Sequence, residues 1–436
     1  MEGKPEMLSI VDIRNGRDNE LFRKLTERSQ LDQSDVLDKV NAVIQKIRAE
    51  GDKAVFEYTR QFDGVDINEG SFRVSEEEME KACSQVDPKL LEVIRKAKGN
   101  IEAFHAKQKE NSWITTGEDG VILGQVFRPL EIVGIYVPGG TAALASSVLM
   151  NAIPAKVAGV TKVVMATPPA KDGSINPAIL AAAREAGVDE IYKMGGSQAI
   201  AAMAFGTASV PRVDKIFGPG NIYVATAKRM VYGFCDIDMF AGPSEIMVVA
   251  DETANPKFVA ADLLSQAEHD VLSAAILVTT SEKLAREVDA EIQRQSSYLT
   301  RYEIFSKSIS NYSAAVVVNN LDEAVEIVNK IAPEHLELCV QEPFSLLGTV
   351  KNAGAVFLGS YSSEPLGDYF AGPNHVLPTG GTARFFSPLN VADFIKKSSV
   401  ISYTRKALEK IKDDIVVFAE AEGLDGHANA IKVRFE

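Results

Sequence analysis

The sequence predicts an α/β protein built on parallel sheets, and three observations point there. From Leu130 onward, short apolar runs alternate with helical segments, the pattern of successive βαβ units. The alternation starts afresh at Ser244, so the sheets come as two consecutive runs. With 436 residues, 46% hydrophobic and 24% charged, the chain has the length and balance of two to four globular domains.

The first third reads as helices. Asp35 to Glu50 carries Val36, Val40, Val43, Ile44 and Ile47 at helical spacing, and Gly51 ends it. Residues 75–110 give two more helices, with Pro88 in the first turn of the second. The rhythm changes at Leu130, after which Glu131 to Val137 reads as a buried strand. Pro138-Gly139-Gly140 turns the chain, and Thr141 is placed to cap a small-residue helix to about Ala158. Strands at 162–166, 190–193 and 214–217 then alternate with helices at 177–186, 197–205 and 221–231. The second run has strands at 245–250, 274–279 and 314–318, with helices at 256–268, 281–295 and 321–331 between and after them. Asn255 caps the first of these helices and Pro256 takes its first position. Residues 359–388 read as a long Gly, Pro and Ser-rich loop, a feature that usually carries function. The tail from Val391 is helical.

Composition excludes several classes. A net charge of -14 without any Lys/Arg cluster opposes a nucleic-acid partner. The first seven residues hold no apolar signal core, and the most apolar stretch, 142–166, is broken by Pro154, Lys156 and Lys162, so no membrane partner is expected. Cys83, Cys235 and Cys339 are an odd, widely spaced set, read as free buried thiols in a reducing cytoplasm.

Four of the five histidines sit beside groups that bind metal or move protons. They are His269, His335, His375 and His427; His105 reads as a surface or satisfied core residue. Gln266 and His269, three apart on one helix, suit two ligands of one metal, although an ordinary polar helix face has the same spacing. Asp368 and His427, both in glycine-flanked loops, would complete a mixed N/O set suited to zinc, with manganese or cobalt as substitutes. Glu334 and His335 follow Pro333 and project in different directions, as two separate bases would; a helix N-terminus fits the same dipeptide. Ser244 lies in the Gly242-Pro243-Ser244-Glu245 turn before a strand, which also fits a plain αβ turn. Gly218-Pro219-Gly220-Asn221 resembles half of a dinucleotide pattern, but Tyr223 stands where the third glycine belongs. From spacing alone the chain is an α/β metalloenzyme with its reaction open.

Taken in order, Val-Gly-Ile-Tyr-Val-Pro-Gly-Gly, Gly-Gly-Ser-Gln-Ala-Ile, Phe-Gly-Pro-Gly-Asn, Ala-Gly-Pro-Ser-Glu, Leu-Leu-Ser-Gln-Ala-Glu-His, Ala-Pro-Glu-His-Leu and Glu-Gly-Leu-Asp-Gly-His resemble the histidinol dehydrogenase family over nearly the whole chain. The resemblance implies a cytoplasmic homodimer with one zinc per subunit. Such an enzyme uses NAD to oxidise L-histidinol twice, through a bound aldehyde, to L-histidine. It assigns zinc to Gln266, His269, Asp368 and His427, and catalysis to Glu334 and His335. NAD contacts fall on Tyr136, Gln198 and Asn221. Substrate contacts fall on Ser244, His375 and Glu422, together with the zinc ligands and His335. The implied fold has two incomplete Rossmann-like domains and small terminal modules exchanged between subunits. The expected division is 1–30 as a helical N-terminal module, 31–130 with 244–386 as the zinc and catalytic domain, 131–243 as the NAD domain, and 387–436 as a module completing the partner's active site. Alternatives are a zinc and NAD dehydrogenase for another amino alcohol or polyol, a zinc hydrolase using Glu334 on metal-bound water, and a non-catalytic binding protein.

Overall fold

The computed structural model of the chain describes residues 7–14, 34–139, 144–240 and 242–436. Two parallel sheets organise it. The first has the order β6-β5-β4-β7-β8, with β4 at Ile132–Tyr136, β5 at Lys162–Thr167, β6 at Glu190–Lys193, β7 at Lys215–Phe217 and β8 at Asp236–Ile237. The chain runs outward from β4 to β6, then returns to β7 on the other side of β4. That reversal opens a crevice at the carboxyl ends of β4 and β7, where α/β sheets bind ligands.

Capping chemistry places the helices around this sheet. Asn176 accepts from the Ala178 amide ahead of helix Pro177–Ala186, and Asn221 accepts from the Tyr223 and Val224 amides ahead of Ile222–Val231. Helix Ala145–Ala158 begins later than the sequence suggests, and Thr141, its expected cap, lies outside the described residues. Helices 145–158 and 177–186 pack on one face, and Gly196–Phe205 with 222–231 on the other.

The N-terminal helices differ from expectation in their partner. Val40, Val43, Ile44, Ile47 and Phe72 share a core with Tyr136, Val164 and Ala199, while Ile94, Ala97 and Ile101 share one with Val148 and Leu180. Residues 34–106 therefore jacket the five-stranded sheet, not the sheet that begins at Ser244. Each of these side chains gains roughly 1.5–3 kcal/mol from that burial. At the N-terminus, Ser9–Asp12 is an edge strand (β1), not helix; most of the expected 1–30 module lies outside the described residues.

The second sheet has the order β1-β11-β10-β9-β12-β13, all parallel. Its strands are β9 at Glu245–Ala250, β10 at Ala274–Thr279, β11 at Ala314–Val317, β12 at His335–Cys339 and β13 at Ala355–Leu358. Strands β12 and β13 and helix Tyr302–Tyr312 were not expected from the sequence. The long loop also holds more structure than expected, because helix Glu364–Tyr369 and a turn at Thr382–Arg384 interrupt it.

The tail is not purely helical. Ile395–Ser402 (β14) pairs antiparallel with Ile122–Pro129 (β3), which pairs with Trp113–Thr116 (β2). Phe394 stacks on Phe217 with centroids 4.1 Å apart, joining this small sheet to the first. Helices Arg405–Glu409, Lys412–Ala421 and Asp425–Lys432 follow, with Lys406 and Lys410 both paired to Asp119. Among the described residues, no helix is long and apolar enough to cross a membrane.

Candidate active site

The expected site residues gather in two places and leave two outliers. The first place is the crevice of the five-stranded sheet. A cavity of about 1430 Å³ opens there, lined by Tyr136 at the end of β4, Gln198 on helix 196–205 and Asn221 at the cap of helix 222–231. Its size exceeds the roughly 300–1,000 Å³ of ordinary small-ligand pockets and suits an extended ligand. Gly218 has φ +110, and a Cβ there would stand 2.1 Å from the Tyr136 carbonyl oxygen, so only glycine lets this turn press on β4. Asp63 was not foreseen. It lines the same cavity, accepts from Gln198 Nε2 at 3.4 Å, and burial raises its pKa to about 6. A carboxylate on that wall favours a ribose hydroxyl over a phosphate.

The second place is at the amino ends of β9 and β12. Crossover helix Pro256–Ala267 must run antiparallel to the strands it connects, so its last turn returns Gln266 to the strand starts, with His269 just beyond. His335 opens β12 and Glu334 precedes it, which removes the helix N-terminus reading of that pair. Asp368 comes in on helix 364–369, not on a loop. The Glu334 carboxylate accepts the Glu245 amide at 2.9 Å, and His335 Nδ1 lies 3.2 Å from the Glu245 carbonyl. Both side chains are buried, and Ser244 sits directly before the residue that holds them. His335 Nε2 points to Asp368 Oδ1 at 3.9 Å, beyond hydrogen-bond reach. His375 Nδ1 lies 3.0 Å from the Asp368 carbonyl and its Nε2 3.5 Å from Ser147 Oγ on helix 145–158, which packs on the first sheet.

The electrostatics match this crowding. Burial pushes Glu334 up to about 7. Burial alone would depress His335, but the surrounding Glu334, Asp368 and Glu364 carboxylates outweigh it and raise its pKa to about 10. The cluster also fits a metal. Ligand atoms of His269, Glu364 and Asp368 lie within 4.8 Å of one another. Both amide atoms of Gln266, Oε1 of Glu364 and Nε2 of His335 are buried without a hydrogen-bond partner. Each such orphan costs about 1–3 kcal/mol unless a ligand satisfies it.

The comparisons with known proteins give the family. The family model described as histidinol dehydrogenase matches residues 26–435. This chain belongs to the histidinol dehydrogenase family. It is 62% identical over 410 residues to the histidinol dehydrogenase of Heliobacterium mobile, covering 94% of this chain and 96% of that one. It is 57% identical over 427 residues to that of Listeria monocytogenes, covering 98% and 99%. The crystal structure of histidinol dehydrogenase from Elizabethkingia anophelis superposes with a TM-score of 0.93 at 42% identity, covering 99% of each chain.

Glu422 and His427 are the outliers. Both are exposed on the tail, His427 on helix 425–432 and not in a loop, with no hydrogen bond or ion pair to the cluster among the described residues. His105 is a satisfied core residue, fully buried with Nδ1 2.8 Å from the Ile101 carbonyl.

Glu364 escaped sequence reading, although its spacing four before Asp368 places both on one helix face. Behind it, Glu337 on β12 accepts the Glu364 amide at 2.8 Å and forms an acid pair with Asp262 of helix 256–267. Burial and then the Asp262 charge push Glu337 well above the usual carboxylate range, while burial raises Asp262 to about 6. Raised carboxyl groups stabilise the fold below their unfolded pKa, and that stability is lost as pH rises through the folded values. The melting temperature should therefore fall as pH rises from about 4 through about 6 and beyond, and E337Q, which keeps an acceptor for the Glu364 amide, should flatten that fall. Parallel melting curves for wild type and E337Q across that range check this.

Proposed function

We propose that this chain oxidises L-histidinol to L-histidine in two NAD-dependent steps at a zinc site, the final reactions of histidine biosynthesis. The observation that carries this reading is the buried Glu334–His335 pair at the start of β12, with His335 beside Asp368, which groups with His269 and Glu364, and with the buried Gln266 amide unpartnered. Zinc on those donors, completed by His427 of a second copy, would grip the imidazole and amino nitrogens of histidinol and fix its carbinol carbon. NAD along the Tyr136, Gln198 and Asn221 crevice would accept one hydride in each oxidation.

The protein's own groups divide the proton work. His335, whose raised pKa comes from carboxylates that a cation on the neighbouring donors would neutralise, removes the hydroxyl proton in the first oxidation in its neutral form. Glu334, with a pKa near neutrality, takes a proton from the water that adds to the aldehyde. His335 then removes a hydroxyl proton from the resulting hydrate before the second hydride leaves. His375 donates to the oxygen that becomes the carboxylate, and Ser244 and the tail's Glu422 orient the polar end of the substrate. Water enters once and four electrons leave, so one histidinol should yield two NADH.

NADH absorbance at 340 nm, with histidinol limiting, tests this directly. About two NADH per histidinol, lost on chelation and restored by zinc, is the expected result. Activity that survives complete chelation would overturn the metal assignment. A zinc-loaded, NAD-binding protein that is silent with histidinol but oxidises another amino alcohol would overturn the substrate.

A further inference from the structure

We propose that Lys228 and Asp238 form a clamp that sets the Gly218–Asn221 turn in its cofactor-holding shape. The inference rests on the reading that the crevice of the five-stranded sheet takes NAD. Both side chains are only 2% exposed and are paired to each other. Lys228 lies on helix 222–231, and Asp238 just follows β8. Lys228 Nζ donates to the Gly218 carbonyl at 3.0 Å, and Asp238 Oδ2 accepts the Gly218 amide at 2.8 Å. The other Asp238 oxygen accepts the Met239 amide at 2.6 Å.

One buried ion pair thus grips both backbone groups of the one residue that contacts Tyr136 too closely to carry a side chain. Three residues on, Asn221 caps its own helix through Oδ1. The turn, the cap and the helix bearing Lys228 therefore form a closed loop of bonds. Desolvating two charges is costly, and an apolar pair of similar volume is often neutral or more stable. What apolar residues cannot do is hold a Gly218 amide and carbonyl at fixed positions. Lys228 and Asp238 are thus positioning residues: they act on NAD through Gly218, Asn221 and Tyr136 without touching the reacting atoms.

The test compares the zinc-loaded full-length enzyme with K228M and the double variant K228M/D238L, measuring NAD affinity by calorimetry, KM for histidinol, and melting temperature. K228M should bind NAD roughly tenfold more weakly or worse, a change on the scale of one lost hydrogen-bonded contact. KM for histidinol should change little. The double variant should regain thermal stability but not NAD affinity. If NAD affinity recovers together with stability, stays at the wild-type value in K228M, or falls only in proportion to the folded fraction, the clamp is overturned. Wild type that fails to bind NAD would overturn the crevice reading and the clamp with it; wild type and variants binding alike would remove the clamp alone.

Discussion

E334Q is expected to complete the first oxidation and stall at the second, with the aldehyde step slowed by roughly 10²–10⁴-fold, the usual contribution of a general base. Glutamine keeps the shape of the side chain and an oxygen to accept the Glu245 amide, now 2.9 Å from the carboxylate. The turn before β9 should therefore survive, and only the proton-accepting function is lost. In a single turnover with histidinol, wild type should release about two NADH per site and the variant a burst of about one. The pH dependence should separate as well. Because burial raises Glu334 to about 7, the wild-type aldehyde step should speed up as pH rises through neutrality and the carboxylate forms, and E334Q should lose that rise. Equal slowing of both oxidations would remove the division of labour between Glu334 and His335.

Why some of this was legible in the sequence and some was not follows from the range of the forces involved. Caps are local, so Asn255-Pro256, Asp87-Pro88 and the Asn221 turn fall where the residues suggest. Buried parallel strands such as Glu245–Ala250 and Ala274–Thr279 read as apolar runs because both faces are covered. Strand β12 hides because its buried run contains His335, whose charge is answered by Asp368 and Glu364, and Glu337, held in an acid pair with Asp262, all from distant elements. The helices at 34–106 were legible as helices but not as the cover of the five-stranded sheet, since an apolar stripe does not name its partner. The site's position is non-local too. Ligand crevices of parallel sheets lie at carboxyl ends. A crevice at carboxyl ends holds Tyr136, whereas the Glu334–His335 pair sits at amino ends, where helix 256–267 brings Gln266 back. The candidate metal donors were proposed from residue chemistry, and Glu364 was not among them because it stands out only beside His269 and Asp368.

Co-expression of H335A with H427A should restore about a quarter of wild-type activity, although each variant alone should be nearly inactive. Random pairing makes half of the dimers mixed, and each mixed dimer has one complete site if the tail reaches across a twofold interface. The tail has the surface for such an exchange. Val417, Phe418 and Ile401 are 66%, 70% and 73% exposed, and Ile114 on the same small sheet is 64% exposed. These exposed apolar side chains share the tail with exposed Glu422, which ends helix 412–421, and exposed His427 on helix 425–432, and they call for cover by another chain. A second copy fits because the family resemblance gives His427 a ligand role, while this tail leaves it exposed and away from the Gln266, His269, Glu364 and Asp368 group of its own chain. If the tail instead folded back onto its own cluster, every mixed dimer would hold two broken sites and co-expression would restore nothing. Metal analysis of H427A alone distinguishes the same alternatives from a tail without any ligand role, because loss of a fourth ligand should lower zinc content whichever chain supplies it, and an unchanged content would remove His427 from the metal site.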